Sequence, residues 1–462
     1  MIQEHISVKQ KTGLIEVAHK LSNHRKAPQI AFLVYLAMFL APNGSLFIIK
    51  ISEGFHLTPI RSVLLIIGII TALNILSGRL NIFSILRKFS LFFPLIILLT
   101  IKITSLLYSY NYLRGIGVIE WLIENIFFAA VCYIYYVKGI IDPSKIFLFI
   151  VIGFILSILV SLIQIVNNGF NFNFLLPIID YVRANTPDAN LFSITGLYIG
   201  DTNCYATYIA TVILVLFGVL LYTKKYLLRT IILLSLGIAV LFSTQSRSTI
   251  IILIFIFIYM IIREHVNITK KVKSIMLIFA IILFIIVAMP SNIKNVFFEK
   301  YSARYQRMIN YINSVDNMEE SNLKAHKDMI MMYFEHIKRE PLALIIGVGE
   351  GDYLGRGGGG EKGGTGAHNA YVLILGENGP VAFLIFVYIT WLIIKTSYFV
   401  NRKSTKPFAK SLLYYNIAYL LSFVLYGSQI NEYIFWGLIG ITFAEKNRIV
   451  TNMRNRSGKS TA

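Results

Sequence analysis

Two stretches of this chain, Ile250 to Ile262 and Ile275 to Met289, run without a single charged side chain. A segment apolar on every face has nothing to offer water, so it lies among other apolar groups or in lipid. Similar runs recur along the sequence; 56% of the residues are hydrophobic and the mean hydropathy is +0.68. A soluble domain of 462 residues has too little interior to hide that much apolar surface. Helices pair their backbone groups internally and turn side chains to lipid. The chain therefore reads as an all-α polytopic membrane protein with about 12 transmembrane helices and one large helical extracytoplasmic loop.

Spans are expected near 30–49, 60–77, 89–108, 117–137, 146–166, 202–222, 229–243, 248–262, 274–290, 371–394, 409–426 and 428–444. Pro42-Asn43-Gly44 interrupts the first, which reads as kinked or broken. Residues 1–29 are polar and of mixed charge, so the first helix is expected to target the chain in place of a cleaved signal. The expected organisation is a cytoplasmic tail 1–29, helices over 30–290, an extracytoplasmic loop 291–370, helices over 371–444 and a cytoplasmic tail 445–462.

Orientation follows from charge. Lys and Arg number 43 against 23 Asp and Glu, a net +20, and the excess sits in alternate short connections. These hold Arg79, Arg87 and Lys88; Lys138 and Lys145; Lys224, Lys225 and Arg229; and Arg263, Lys270, Lys271 and Lys273. The series closes with Lys395, Arg402, Lys403, Lys406 and Lys410, then a tail with Lys446, Arg448, Arg454, Arg456 and Lys459. Positive loops stay inside, so both termini are expected in the cytoplasm, with the chain in an inner membrane. The basic excess is explained by the anionic inner leaflet; no stripe of exposed aromatics accompanies it, so nucleic acid is not expected as a partner. Cys132 and Cys204 lie in or beside apolar segments and form no CxxC or disulfide framework.

Segments 167–201 and 291–370 then lie outside. In the second, Tyr301 to Ser314 and Asn322 to Lys338 read as amphipathic helices, the latter ended by Pro341. The glycine-rich run Gly355 to Gly364 lacks P-loop spacing and reads either as a mobile lid or as a linker. His326 and His336, ten residues apart, share no clean helix face, so no metal site or cofactor is expected.

Charged groups at membrane depth gather toward the outer end: Lys102, Glu120, Glu124, Asp201, Arg247 and Glu432. Lys102 is expected to pair with Glu120 or Glu124. Arg247 lies in a tight connection, Phe242 to Ser248, near the start of the next helix, whose free N–H groups favour anions. It reads as a phosphate-binding corner or as a snorkelling interfacial cation. His368-Asn369 lies where the loop re-enters the membrane, where a neutral imidazole can take a proton.

Three segments resemble the O-antigen ligase and polymerase family of bacterial membrane glycosyltransferases. They are Gly200-Asp201-Thr202-Asn203, Thr244-Gln245-Ser246-Arg247-Ser248, and the series Pro341, Gly349-Glu350-Gly351, His368-Asn369-Ala370-Tyr371 and Glu377-Asn378-Gly379. The likeness covers roughly residues 190–395. It implies a glycan donor carried on undecaprenyl diphosphate, a glycan or lipid A-core acceptor, and a metal-independent inverting transfer. By position it implies catalytic roles for Arg304, Arg247 and His368. Substrate-binding roles fall on Arg307, Lys324, Arg339, Asp201, Asn203, Asn369 and Glu377. In the ligase pattern Gly, Thr or Tyr follows three places after the last glycine, whereas this chain has Ala382 after Gly379. That departure favours a polymerase of O-antigen or capsular repeat units over a ligase. A lipid-linked glycan transporter is the non-enzyme alternative, although transporters usually place polar groups near the midplane and carry internal repeats.

Overall fold

The computed structural model describes residues 28–46, 49–52, 55–109, 112–170, 202–223, 227–244, 246–263, 276, 331, 343–351, 369–425 and 432–457. The described chain is an all-α membrane bundle with one short hairpin. Helix α1 (Pro28–Asn43) ends earlier than residue 49. Pro42 offers no N–H to the ladder, and Asn43 leaves helical geometry (φ −116°, ψ 34°) within a 3₁₀ turn, Ala41–Leu46. The Asn43 amide donates to the carbonyls of Phe39 at 2.7 Å and Gly153 at 3.4 Å, which holds the break against the bundle. An antiparallel hairpin follows, β1 (Ile49–Ser52) and β2 (Phe55–Leu57), in register Ile49 with Leu57 and Lys50 with His56.

The chain continues through α2 (Pro59–Leu76), a short α3 (Ile82–Leu86), α4 (Phe92–Leu106), α5 (Tyr112–Val137) and α6 (Pro143–Phe170). Next come α7 (Thr202–Tyr222), α8 (Leu227–Thr244) and α9 (Arg247–Arg263). After α10 (Ala343–Ile346), the last three are α11 (Ala370–Lys403), α12 (Pro407–Leu425) and α13 (Tyr433–Ser457). Among the described residues, α2, α5, α6, α7, α8 and α11 are long and apolar enough to cross a membrane, while α1, α4 and α9 are shorter and apolar. Helix α13 runs past residue 444 and carries Glu445 inside the bundle. The span expected at 274–290 and nearly all of the loop 291–370 lie outside the described residues.

Helix α7 is the axis. Every residue from Cys204 to Gly218 is buried, against α8, α9 and α12. Two of its hydroxyls turn back on the helix: Thr207 and Thr211 donate to the carbonyls of Asn203 and Thr207, at 3.0 and 2.8 Å. Helix α2, by contrast, exposes Leu65, Ile69, Leu73 and Leu76 and presents a lipid-facing stripe. Helices α5 and α13 approach so closely that a Cβ on Gly440 would overlap the Ala129 carbonyl. Small residues at such a crossing let dispersion contacts form where lipid supplies no hydrophobic drive.

The two ends of the bundle differ in charge. At one, the fully buried Glu445 accepts from Tyr136, Ser404 (2.8 Å) and Arg448 (2.7 Å), with Lys406 4.0 Å away. Burial lowers the pKa of the Lys406 ammonium, and Glu445 opposes that shift. The Asn447 amide donates to the Lys88 carbonyl at 2.9 Å and Lys138 reaches the Arg79 carbonyl at 3.4 Å, so residues from four basic connections converge here. The other end carries Glu120 and Glu124 with Arg61, and Glu350 with Lys102.

Candidate functional site

The site is built on a break in α11. Pro380 lies inside that helix, and Gly379 before it leaves helical geometry at φ 78°, ψ 178°. Proline has no N–H, so the Gly376 carbonyl four residues earlier loses its ladder partner; the turn at Gly379 frees the Glu377 carbonyl as well. The segment after α10 takes both. Val348 N–H donates to Gly376 O at 2.9 Å and Gly349 N–H to Glu377 O at 3.1 Å. So close a meeting of backbones requires glycine: a Cβ on Gly347 (φ +80°) would overlap the Glu377 carbonyl, and one on Gly379 the Ile345 carbonyl.

The end of α4 and the turn after it hold the same segment from the other side. Lys102 Nζ donates to both oxygens of Glu350, at 2.8 and 2.7 Å, and these side chains are 6% and 0% exposed. The Asn378 amide donates to Glu350 Oε2 at 2.7 Å and to Ser105 Oγ at 2.8 Å. Tyr108 OH donates to Ile346 O at 2.7 Å and Ser109 Oγ to Glu350 O at 2.8 Å. Removing one partner of such a buried pair typically costs about 3–5 kcal/mol, because the other charge stays behind without compensation. Lys102 therefore does not pair with Glu120 or Glu124, as its sequence neighbourhood suggested. Its partner lies 248 positions further on.

Glu120 and Glu124 belong to Arg61, one of the first residues of α2. Arg61 Nε is 3.2 Å from Glu124 Oε1, its Nη1 is 3.5 Å from Glu120 Oε1, and its guanidinium carbon lies 5.8 Å from the Trp121 ring centre. Tyr433, opening α13, donates its hydroxyl to Glu124 Oε2. This cluster joins α2, α5 and α13. Arg61 stayed hidden in the sequence because it sits beside Pro59 at the edge of an apolar run, where a snorkelling cation is unremarkable.

The described residues include four of the candidates read from the sequence. Asn369 is the N-cap of α11: its side-chain oxygen accepts from Tyr371 N at 2.9 Å and Val372 N at 3.1 Å. That oxygen closes the helix end which follows His368. Glu377 is 2% exposed, and its Oε1 has no hydrogen-bond partner among the described residues. Arg247 is the first residue of α9, three positions after Thr244, the last residue of α8. Asn203 stands in the first turn of α7, and a hydroxyl relay brings that turn beside the start of α9. Thr207 Oγ1 is bonded to Asn203 O at 3.0 Å and lies 3.4 Å from Thr249 Oγ1, which is 2.9 Å from Ser246 Oγ. Two helix N-termini are thus held side by side, a pairing that no local pattern in the sequence indicates. Asp201, Arg304, Arg307, Lys324, Arg339 and His368 lie outside the described residues, as does the glycine-rich run.

No group of three or more His, Cys, Asp or Glu among the described residues is arranged to hold a metal ion. What the described end of the bundle offers is buried ion pairs, adjacent helix N-termini and a clamped loop return. Residues 231–387 match the model of a family described as O-antigen ligase. A search of curated proteins finds no match to the chain. The matched region begins in α8 and ends in α11, and takes in Arg247, the loop cations, His368 and the Gly379 break.

Proposed function

From an O-antigen ligase domain at residues 231–387, we propose that the chain is a membrane glycosyltransferase that polymerises repeat units of O-antigen or capsular polysaccharide carried on undecaprenyl diphosphate. The observation that carries this reading is the coincidence of that domain with the cations and the histidine the chemistry requires. The acceptor hydroxyl oxygen attacks the anomeric carbon as the bond from that carbon to the diphosphate oxygen breaks. Negative charge then collects on the leaving diphosphate, and fixed cations absorb it. Arg247 meets the diphosphate at the paired helix N-termini, where backbone N–H groups add to its charge. Arg304 supplies the second cation; Arg307, Lys324 and Arg339 line the donor's path, with Asp201, Asn203 and Glu377 around the glycan. His368 takes the proton of the acceptor hydroxyl, next to the cap at Asn369. Arginines and one imidazole supply both forms of help without a metal.

The basic end of the bundle faces the cytoplasm in this reading, with both termini, and the acidic end and the loop face outward. Convergence of Arg79, Lys88, Lys138, Lys406 and Arg448 at one end supports that orientation. A ligase that hands finished polymer to lipid A-core remains the second reading, favoured by the description of the matched family. Surface-glycan profiles of a deletion strain separate the two. Loss of a polymerase leaves acceptor capped with single repeat units; loss of a ligase leaves full-length polymer without its acceptor. An unchanged glycan profile would overturn both.

A further inference from the structure

Resting on the glycosyl-transfer reading, we propose that Lys102 is a positioning residue, whose ion pair with Glu350 sets the tilt of the first turns of α11 and of the cap at Asn369, the sequence neighbour of His368. The start of α11, Ala370 to Asn378, is cut off from the rest of its helix by the Gly379 break. A helix piece of that length does not hold its own direction, because the ladder that would pass it on is missing across Gly379 and Pro380. Its direction is instead fixed by what grips it. Two backbone bonds come from Val348 and Gly349, and Asn378 is bonded to Glu350 and Ser105. All of these except the Asn378–Ser105 bond run through the segment 347–350, and the charge that anchors this segment is Glu350 on Lys102. Lys102 and Ser105 lie one turn apart on α4, and Tyr108 and Ser109 extend the same grip. Helix α4 is therefore a socket, the Glu350 segment a peg, and the cap at Asn369 the far end of the lever. A displacement of about 1 Å at a reacting group can cost roughly 100-fold in rate, so a loosened peg is felt at the histidine.

The test uses the full chain in lipid nanodiscs with a lipid-diphosphate-linked oligosaccharide as substrate. Lys102→Met is expected to lower kcat on the order of 100-fold with KM for the donor nearly unchanged. Amide hydrogen exchange at Val348 and Gly349 should speed up by about tenfold or more as the peg loosens. The double variant Lys102→Met/Glu350→Gln removes the stranded charge while the glutamine oxygen still accepts from Asn378. It should recover most of the protection and at least about tenfold in kcat. If Lys102→Met does not accumulate in the membrane, the double variant is expected to restore accumulation. Unchanged exchange at 348–349 in Lys102→Met, or a double variant as impaired as the single one, would overturn the proposal. Exchange is measured without substrate, so a peg that loosens and tightens as predicted in a chain with no transfer activity would uphold the positioning device and remove the functional reading instead.

Discussion

Replacing His368 by alanine is expected to lower polymer formation by about two to four orders of magnitude while the chain still folds into the membrane. The size follows from its proposed role as a general base. A hydroxyl is a poor nucleophile at neutral pH, and a positioned base removes its proton as the new bond forms. The residue beside it, Asn369, is occupied with its oxygen on the amides of Tyr371 and Val372. The cap therefore survives loss of the imidazole, and the variant reports on chemistry rather than on folding. His368→Gln divides the two functions a histidine can have. Glutamine can hydrogen-bond the acceptor but does not take a proton at neutral pH. It is expected to be nearly as inactive as alanine. Normal polymer at a normal rate in the glutamine variant would reduce His368 to an orienting group.

Arg247→Lys is expected to fail almost as badly as Arg247→Ala, with transfer reduced by about 10²–10³ in both. Lysine keeps the charge but loses the planar fork that meets two phosphate oxygens at once. The expected effect is large because the proposed mechanism has the cation act where the leaving group gains charge, at the start of α9 and beside the first turn of α7. Donor turnover by the purified variants, followed as release of undecaprenyl diphosphate, checks it. Full activity in the lysine variant would make Arg247 a generic cation, and full activity in both would make it an interfacial anchor.

The sequence showed most of the helices because lipid leaves the chain no choice: a span must be apolar along its length and its ends must be marked by charge. The break at Asn43 was legible for a similar reason, since proline removes a donor wherever it stands. The hairpin over Ile49–Leu57 was not, as residues 50–59 read only as the connection between a span expected to end at 49 and one expected to begin at 60. The site was legible as a set of residue types and hidden as a set of contacts. Glu350, Asn378 and the glycines around them stood out only as parts of the segments that carry the family resemblance. In the structure Gly347 and Gly379 permit a backbone crossing, and Glu350 reaches into a helix of the N-terminal third. No periodicity links positions 102 and 350, because a contact between distant elements leaves its mark only as one unpaired charge in each. The same holds for Arg61, whose two carboxylate partners lie on α5.

The central claim is that this chain makes glycosidic bonds from a lipid-diphosphate donor, and one reconstitution tests it most directly. The purified chain in proteoliposomes, given undecaprenyl-diphosphate-linked repeat units in the presence of EDTA, should yield a ladder of longer glycans. Each added unit should release one undecaprenyl diphosphate. Repeat units that cross the bilayer unchanged, with no ladder and no released carrier, would contradict the account and mark the chain as a transporter.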